Sequence, residues 1–551
     1  MRKRIIKFGL FFFSGLAVII GGLFIYLFSV ATVTPPVPAN TECLTWQRQD
    51  VDSTYFVLGK NWLRKSKSGL YEMYVEGKPF ERGVVIGKLT KELAQYQEKT
   101  FNQQIHQLVP SETKLQFLKY FVGWFNRDLE KNVPSEFREE IYGVSTEASH
   151  DYDNIASPYQ RILNYHAAHD IGHALQNMSL VGCTSFAVWA NKTDDGNLLV
   201  ARNFDFYVGD DFAKNKIIAF YNPSEGHKFM MVTFGGMTGA LSGMNDQGLT
   251  VTINAAKSEV PSSSAMPVSL VAREILQYAS TFDEAFAIAN KRKMFVSESF
   301  LISSAKENSA MIIEKTPEIT ERVNADNNFI ICTNHFQGKN LGNTELNREH
   351  MLKSASVYRW QRVDEDLKAI EKLSVEKAIE IMRDRKGLHN TEIGLGNEKA
   401  INQLIAHHSI IFQPKQLKVW VSTSPFQLGE YVCYDLNRVF GIENMTDQEI
   451  YEEKRIPADS FLGTKAYVDF TKFARYRFPF QPRTDLQPDS LVKWNPDSYH
   501  SYMLAGDTRF DQKDFSSAMN FYKQGLTKEV ATVQERDYMA NRIQLCKKRL
   551  E

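Results

Sequence analysis

The segment V181-G-C-T-S-F-A-V-W-A-N-K-T-D-D-G-N-L-L-V-A-R-N-F-D-F206 decides the reading of this chain. Two apolar runs, 183–191 and 198–204, flank the turn signal Asp194-Asp195-Gly196-Asn197. Aromatic and β-branched residues on both sides of an Asp-Gly turn predict an antiparallel hairpin. A hairpin turning near Asp195 returns Arg202 and Asp205 to the neighbourhood of Cys183. A guanidinium beside a thiol favours the reactive thiolate. A carboxylate there would hold and orient a free α-amine. The plainer alternative is a cysteine buried as a small hydrophobe and an Arg–Asp pair of little consequence.

Outward from this hairpin the same grammar continues to about residue 331. Asn, Asp and Gly clusters at 224–226, 245–248 and 306–309 separate the short apolar runs 230–234, 249–253, 300–304 and 310–314. These predict further strands. Thr281 with Glu284 forms a capping-box signal ahead of a helix over 285–291. A helical stretch is expected over 351–385, and strands over 409–412 and 418–422. Upstream, 68–176 reads as a mostly helical block, with three- and four-residue apolar spacing over 88–106, 112–129 and 134–149. Sheet and helix segregated in this way indicate an α+β layered domain.

The ends differ from the centre. Arg2, Lys3, Arg4 and Lys7 precede an uncharged stretch over 8–33. As a helix this would extend ~39 Å, enough for a ~30 Å hydrocarbon core. A single transmembrane anchor is therefore expected, with the N-terminus cytoplasmic and the remainder on the outer, periplasmic or extracytoplasmic side. A signal peptide cut near Ser29-Val30-Ala31 is the rival. Residues 34–38 form a proline-rich linker, and 497–551 read as a tetratricopeptide-like hairpin plus a third helix. One such unit cannot bury a continuous core alone, so it should pack on the main domain, with a protein partner at these helices as the alternative.

The chain has 551 residues, with 65 basic and 65 acidic side chains. That balance argues against a nucleic-acid partner. Its five cysteines, Cys43, Cys183, Cys332, Cys433 and Cys546, make neither a disulfide framework nor a zinc pattern. His166, His169 and His173 share one predicted helix face, a spacing that can ligate a metal. Structural or substrate-facing histidines are the preferred reading, and no metal or cofactor is expected.

Gly182-Cys183-Thr184-Ser185, Asp195-Gly196-Asn197 and Arg202-Asn203-Phe204-Asp205-Phe206 together resemble the acyl-coenzyme A:6-aminopenicillanic-acid acyltransferase family. The likeness extends more distantly to choloylglycine hydrolases and acid ceramidases, all N-terminal-nucleophile (Ntn) hydrolases. Residues 248–254 resemble the strand bearing an oxyanion-hole asparagine, here Asn254. Thr333-Asn334-His335-Phe336 resembles the segment of a second site asparagine, Asn334. Residues 356–362 resemble a helix start carrying a late arginine, either Arg359 or Arg362. Val181 departs from relatives that carry an acid before the glycine.

The resemblance implies a four-layer αββα sandwich and a cut between Gly182 and Cys183. The freed α-amine, with an ordinary pKa of about 7.7–8.0, would then serve as base for the thiol. Cys183 would form a thioester acyl-enzyme, Asn254 would stabilise the oxyanion, Asn334 would orient amine or substrate, and Asp205 would hold the α-amine. The organisation expected is an anchor over 1–35, a mainly helical pro-segment over 36–182, a catalytic domain over 183–480 and a helical tail over 490–551. The expected activity is amidase action on linear, non-peptide amides of small N-acyl compounds. Acyl transfer to an amine is the alternative enzyme reading, and an adaptor on an inactive hydrolase fold is the non-enzyme one.

Overall fold

The computed structural model describes residues 2–168, 170, 182–207, 209–325, 327–442, 449–477 and 486–551. Among them the strands form two sheets, one of eleven strands and one of seven. The hairpin read first in the sequence lies in the smaller sheet. Thr184–Val188 pairs antiparallel with Leu199–Phe204, and Ser185 stands opposite Arg202. Phe329–Cys332 flanks this hairpin on one side and His408–Gln413 on the other. Leu249–Ala255 and Glu298–Ser304 are neighbours in the larger sheet, with Asn254 opposite Ser299.

Three apolar layers join the parts. Between the sheets lie Val200, Phe220, Met230, Leu301, Ile312, Ile410 and Val432. Outside the larger sheet, Val75, Met231 and Ile302 pack with Val85, Ile141, Ile162 and Leu276 from helices. Outside the smaller sheet, Phe186, Ala201 and Ile411 pack with Val363, Leu367 and Ile379. The result is a mixed αββα arrangement of helices, two sheets and helices. Central strands such as Thr184–Val188 and Phe229–Thr233 are buried on both faces, so their runs do not alternate between apolar and polar, whereas edge strands such as Thr320–Asn324 are only partly buried.

The helices over 68–176 are present as Lys91–Leu108, Glu112–Phe125 and Ser135–Ser145. The expected capping box at Thr281 and Glu284 forms with both of its hydrogen bonds. Not foreseen were the strands Tyr55–Leu58, Asn61–Lys65 and Tyr71–Gly77, which extend the larger sheet. Tyr71–Gly77 runs parallel to Ile217–Pro223, a pairing made across more than a hundred residues and invisible to local pattern. Upstream and downstream halves are also joined by charge. Glu140, fully buried, bonds Arg82 on one side and Arg273 on the other. At Gly83, a Cβ would collide with the backbone of Glu140, so only glycine permits this close helix crossing.

The membrane anchor is not borne out. Among the described residues no helix is long and apolar enough to cross a membrane. A helix does run from Arg2 to Ala31. The side chains of Arg2, Lys3, Arg4 and Lys7 lie outside the described residues. The C-terminal tail forms the helices Tyr499–Asp511, Phe515–Gly525 and Val533–Leu550. It packs on the main body, where the Tyr499 hydroxyl donates to Glu398 and Asn397 Nδ2 donates to the Glu529 carbonyl.

Candidate active site

Cys183 opens the inner hairpin and is buried, with its Sγ 3.9 Å from Arg202 Nη2 and 3.8 Å from the Asp205 carbonyl. Burial pushes its thiol up to about 11, and Arg202 acts against that rise. Arg202 is fixed by donating to the Leu241 and Ile253 carbonyls and to Ser242 Oγ. Ser242 also meets His408 Nε2 at 2.8 Å, and His408 contacts His407 through their Nδ1 atoms at 3.0 Å. Burial holds both imidazoles neutral, His407 falling to about 3.

Asp205 is fully buried, and among the described residues neither carboxylate oxygen has a hydrogen-bond partner. Burial raises its pKa to about 7 against the fields of Arg359, Arg202 and Arg477. Asn254 donates from Nδ2 to the Cys332 carbonyl and accepts from Ser185 Oγ through Oδ1. Asn334 donates to the Ala255 carbonyl and accepts from Arg359 Nη2 at 2.7 Å. Arg359 also donates from Nε to Thr184 Oγ1. The structure thus brings together Cys183, Arg202, Asp205, Asn254, Asn334 and Arg359. It separates Arg362, whose guanidinium goes to Asp384, Glu365 and Asn390.

Peptide geometry at the expected cut is equally defined. The Gly182 N–H donates to the Asp205 carbonyl at 3.0 Å, and the Gly182 carbonyl accepts from Gln403 Nε2 at 2.7 Å. Sequence reasoning missed Gln403 and also Glu298, a buried carboxyl without a hydrogen-bond partner among the described residues that adds to the rise of the Cys183 thiol. Neither carries a motif; a turn and a strand pairing bring them in.

Of the histidine stripe, His166 is committed to the Ile162 carbonyl and to Thr238, whose N–H donates to its Nε2. His169 and His173 lie outside the described residues. Cys332 is a buried strand residue, and all five cysteines are free thiols. One group among the described residues, Glu398, His500 and Glu535, has metal-compatible spacing. Its Glu398 already pairs with Arg477.

A buried thiol, arginine, carboxyl and two amides thus meet at and beside the ends of strands from both sheets of the αββα arrangement. Residues 190–425 match the model of the family described as "Acyl-coenzyme A:6-aminopenicillanic acid acyl-transferase", bearing out the resemblance over that region. Arg202, Asp205, Asn254, Asn334 and Arg359 fall inside the match, and Gly182–Cys183 lies just before it.

Two proteins similar to the chain are an uncharacterized protein of Archaeoglobus fulgidus and the N-acylethanolamine-hydrolyzing acid amidase of Caenorhabditis elegans. The first is 28% identical over 43% of this chain and 42% of its own length. The second is 24% identical over 41% of this chain and 65% of its own length. The chain therefore spans less than two thirds of these relatives. Similar solved structures include the C. elegans N-acylethanolamine-hydrolyzing acid amidase ortholog, at 16% identity over 42% of this chain and 93% of that chain, with TM-score 0.31. A second is a variant conjugated bile acid hydrolase of Clostridium perfringens, at 13% identity over 50% of this chain and 98% of that chain, also with TM-score 0.31.

Proposed function

We propose that the chain is a cysteine Ntn amidase that hydrolyses linear amides of small N-acyl compounds after a cut between Gly182 and Cys183. The observation that carries this reading is the buried carboxyl of Asp205, which has no hydrogen-bond partner among the described residues and whose backbone carbonyl lies 3.8 Å from the Cys183 sulfur. A buried carboxylate without a partner is costly. The α-ammonium created by the cut is the cation that would relieve it.

Once free, the α-amine takes the thiol proton. Arg202 supports the thiolate, which attacks the substrate carbonyl; the amide C–N bond breaks, the amine leaves with the proton held by the α-ammonium, and the acyl group stays on sulfur as a thioester. Asn254 and Asn334 supply amide donors beside the nucleophile, each with an N–H beyond the one given to a backbone carbonyl. Arg359 fixes Asn334 through its Oδ1. Water then releases the acid. The amidase named among the relatives supports a linear N-acyl amide as the substrate class.

The test is intact mass and N-terminal sequencing of the wild type beside Cys183→Ala, followed by assay of N-acyl amide hydrolysis. A wild-type fragment beginning at Cys183, absent from the variant, together with thiol-dependent hydrolysis is expected. An uncut wild-type chain would defeat the proposal.

A further inference from the structure

We infer that Gln403 is the oxyanion donor for the self-cleavage step, a task separate from the substrate-directed roles of Asn254 and Asn334. The inference rests on the proposed cut at Gly182–Cys183. In that step the Cys183 sulfur bonds to the Gly182 carbonyl carbon, and the carbonyl oxygen takes up negative charge. The thiol proton passes to the Cys183 nitrogen as the C–N bond breaks, leaving a thioester. Water then adds to the same carbon, so the same oxygen is charged a second time before the Gly182 carboxylate departs. A donor already placed on that oxygen stabilises both intermediates.

Gln403 Nε2 is that donor, at 2.7 Å from the Gly182 oxygen. Its orientation is fixed by chemistry, because a carbonyl can only accept and the Nε2 end of the amide must face it. The amides of Asn254 and Asn334 are directed to the Cys332 and Ala255 carbonyls instead.

Gln403 is also held in place from several sides. It is 2% exposed. The preceding Asn402 donates from its N–H to the Asp384 carbonyl and from Nδ2 to the Arg383 carbonyl. The following Leu404 adopts φ +55°, a left-handed turn unfavourable for leucine, and its N–H donates to Asn402 Oδ1. Arg477 Nη1 holds the Gln403 carbonyl at 3.1 Å, while its Nη2 pairs with Glu398 at 3.0 Å. The Tyr499 hydroxyl of the C-terminal tail bonds the same Glu398. The tail thereby braces the loop that holds the scissile carbonyl. A Cβ at position 182 would press on the Gln403 amide, so a larger residue there would displace the donor from the Gly182 carbonyl.

Full-length wild type, Gln403→Ala and Gln403→Glu are followed by intact mass after synthesis, from pH 4.5 to 8.5, with circular dichroism on each. Gln403→Ala should be cut on the order of 10²–10³-fold more slowly than wild type. Gln403→Glu should be cut well only at acid pH, where its carboxyl is protonated and can donate, and should lose the reaction as pH rises. A purely structural role would not produce that pH-dependent recovery. Wild-type cleavage with Gln403→Ala cut at the same rate overturns the role of Gln403 and leaves the proposed function standing. A folded Gln403→Glu chain that is cut equally at every pH, or at none, also overturns it. Absence of cleavage in the wild type instead refutes the function on which the inference rests.

Discussion

In the uncut chain, Asp205→Asn should stabilise the protein, and only above acid pH. Asp205 is fully buried, both its oxygens lack hydrogen-bond partners among the described residues, and burial lifts its pKa from 3.8 to about 7. That rise corresponds to about 4 kcal/mol of disfavour for the ionised form. Below about pH 4 the carboxyl is protonated in folded and unfolded chains alike, so no penalty exists. Between about 4 and 7 the folded chain keeps a proton that the unfolded chain has lost. Stability therefore falls as pH rises through this window, and the full penalty applies above 7.

The three arginines near Asp205 do not depend on it. Arg202 and Arg359 have their own partners, and Arg477 pairs with Glu398. Replacing the carboxylate should therefore orphan none of them. The assay is thermal and urea unfolding of Cys183→Ala, which stays uncut, with and without Asp205→Asn, at pH 4 and pH 8. The second substitution should add about 2–4 kcal/mol at pH 8, a few degrees in melting temperature, and nearly nothing at pH 4. Equal stability at both pH values, or a loss at pH 8, would show that the carboxylate is already paired and would refute the reasoning. In cut wild type the sign should reverse, because the α-ammonium then partners Asp205.

Glu140→Gln should cost about 3–5 kcal/mol, seen as a lower urea midpoint, because Arg82 and Arg273 would share no carboxylate. Arg359→Ala should lower kcat/KM on the order of 10²-fold. Arg362→Ala should keep it within a few-fold, since its partners Asp384, Glu365 and Asn390 stand apart from Cys183; steady-state kinetics on one N-acyl amide separates the two. Gly83→Ala should lose about 1–3 kcal/mol in thermal unfolding, because the new methyl meets the Glu140 backbone.

The sequence by itself determined the inner hairpin and the return of Arg202 beside Ser185, although its strands join through the connection 189–198, with a short helix at Ala190–Lys192, and not through a tight Asp195-Gly196 turn. Helices with three- and four-residue apolar spacing were legible from local pattern, as was the capping box at Thr281. Asn254 and Asn334 were reached through motif resemblance and not through spacing. Only the tertiary structure decided between Arg359 and Arg362. They lie within one helix turn of each other, and what separates them is which face meets Thr184 and Asn334. Only the tertiary structure, too, added the strands at 55–77 to the larger sheet and placed Gln403 on the Gly182 carbonyl. Those contacts join residues up to 221 positions apart. Hydrogen bonds across such separations are set by the packing of the two sheets, and a local pattern of residues holds no record of them.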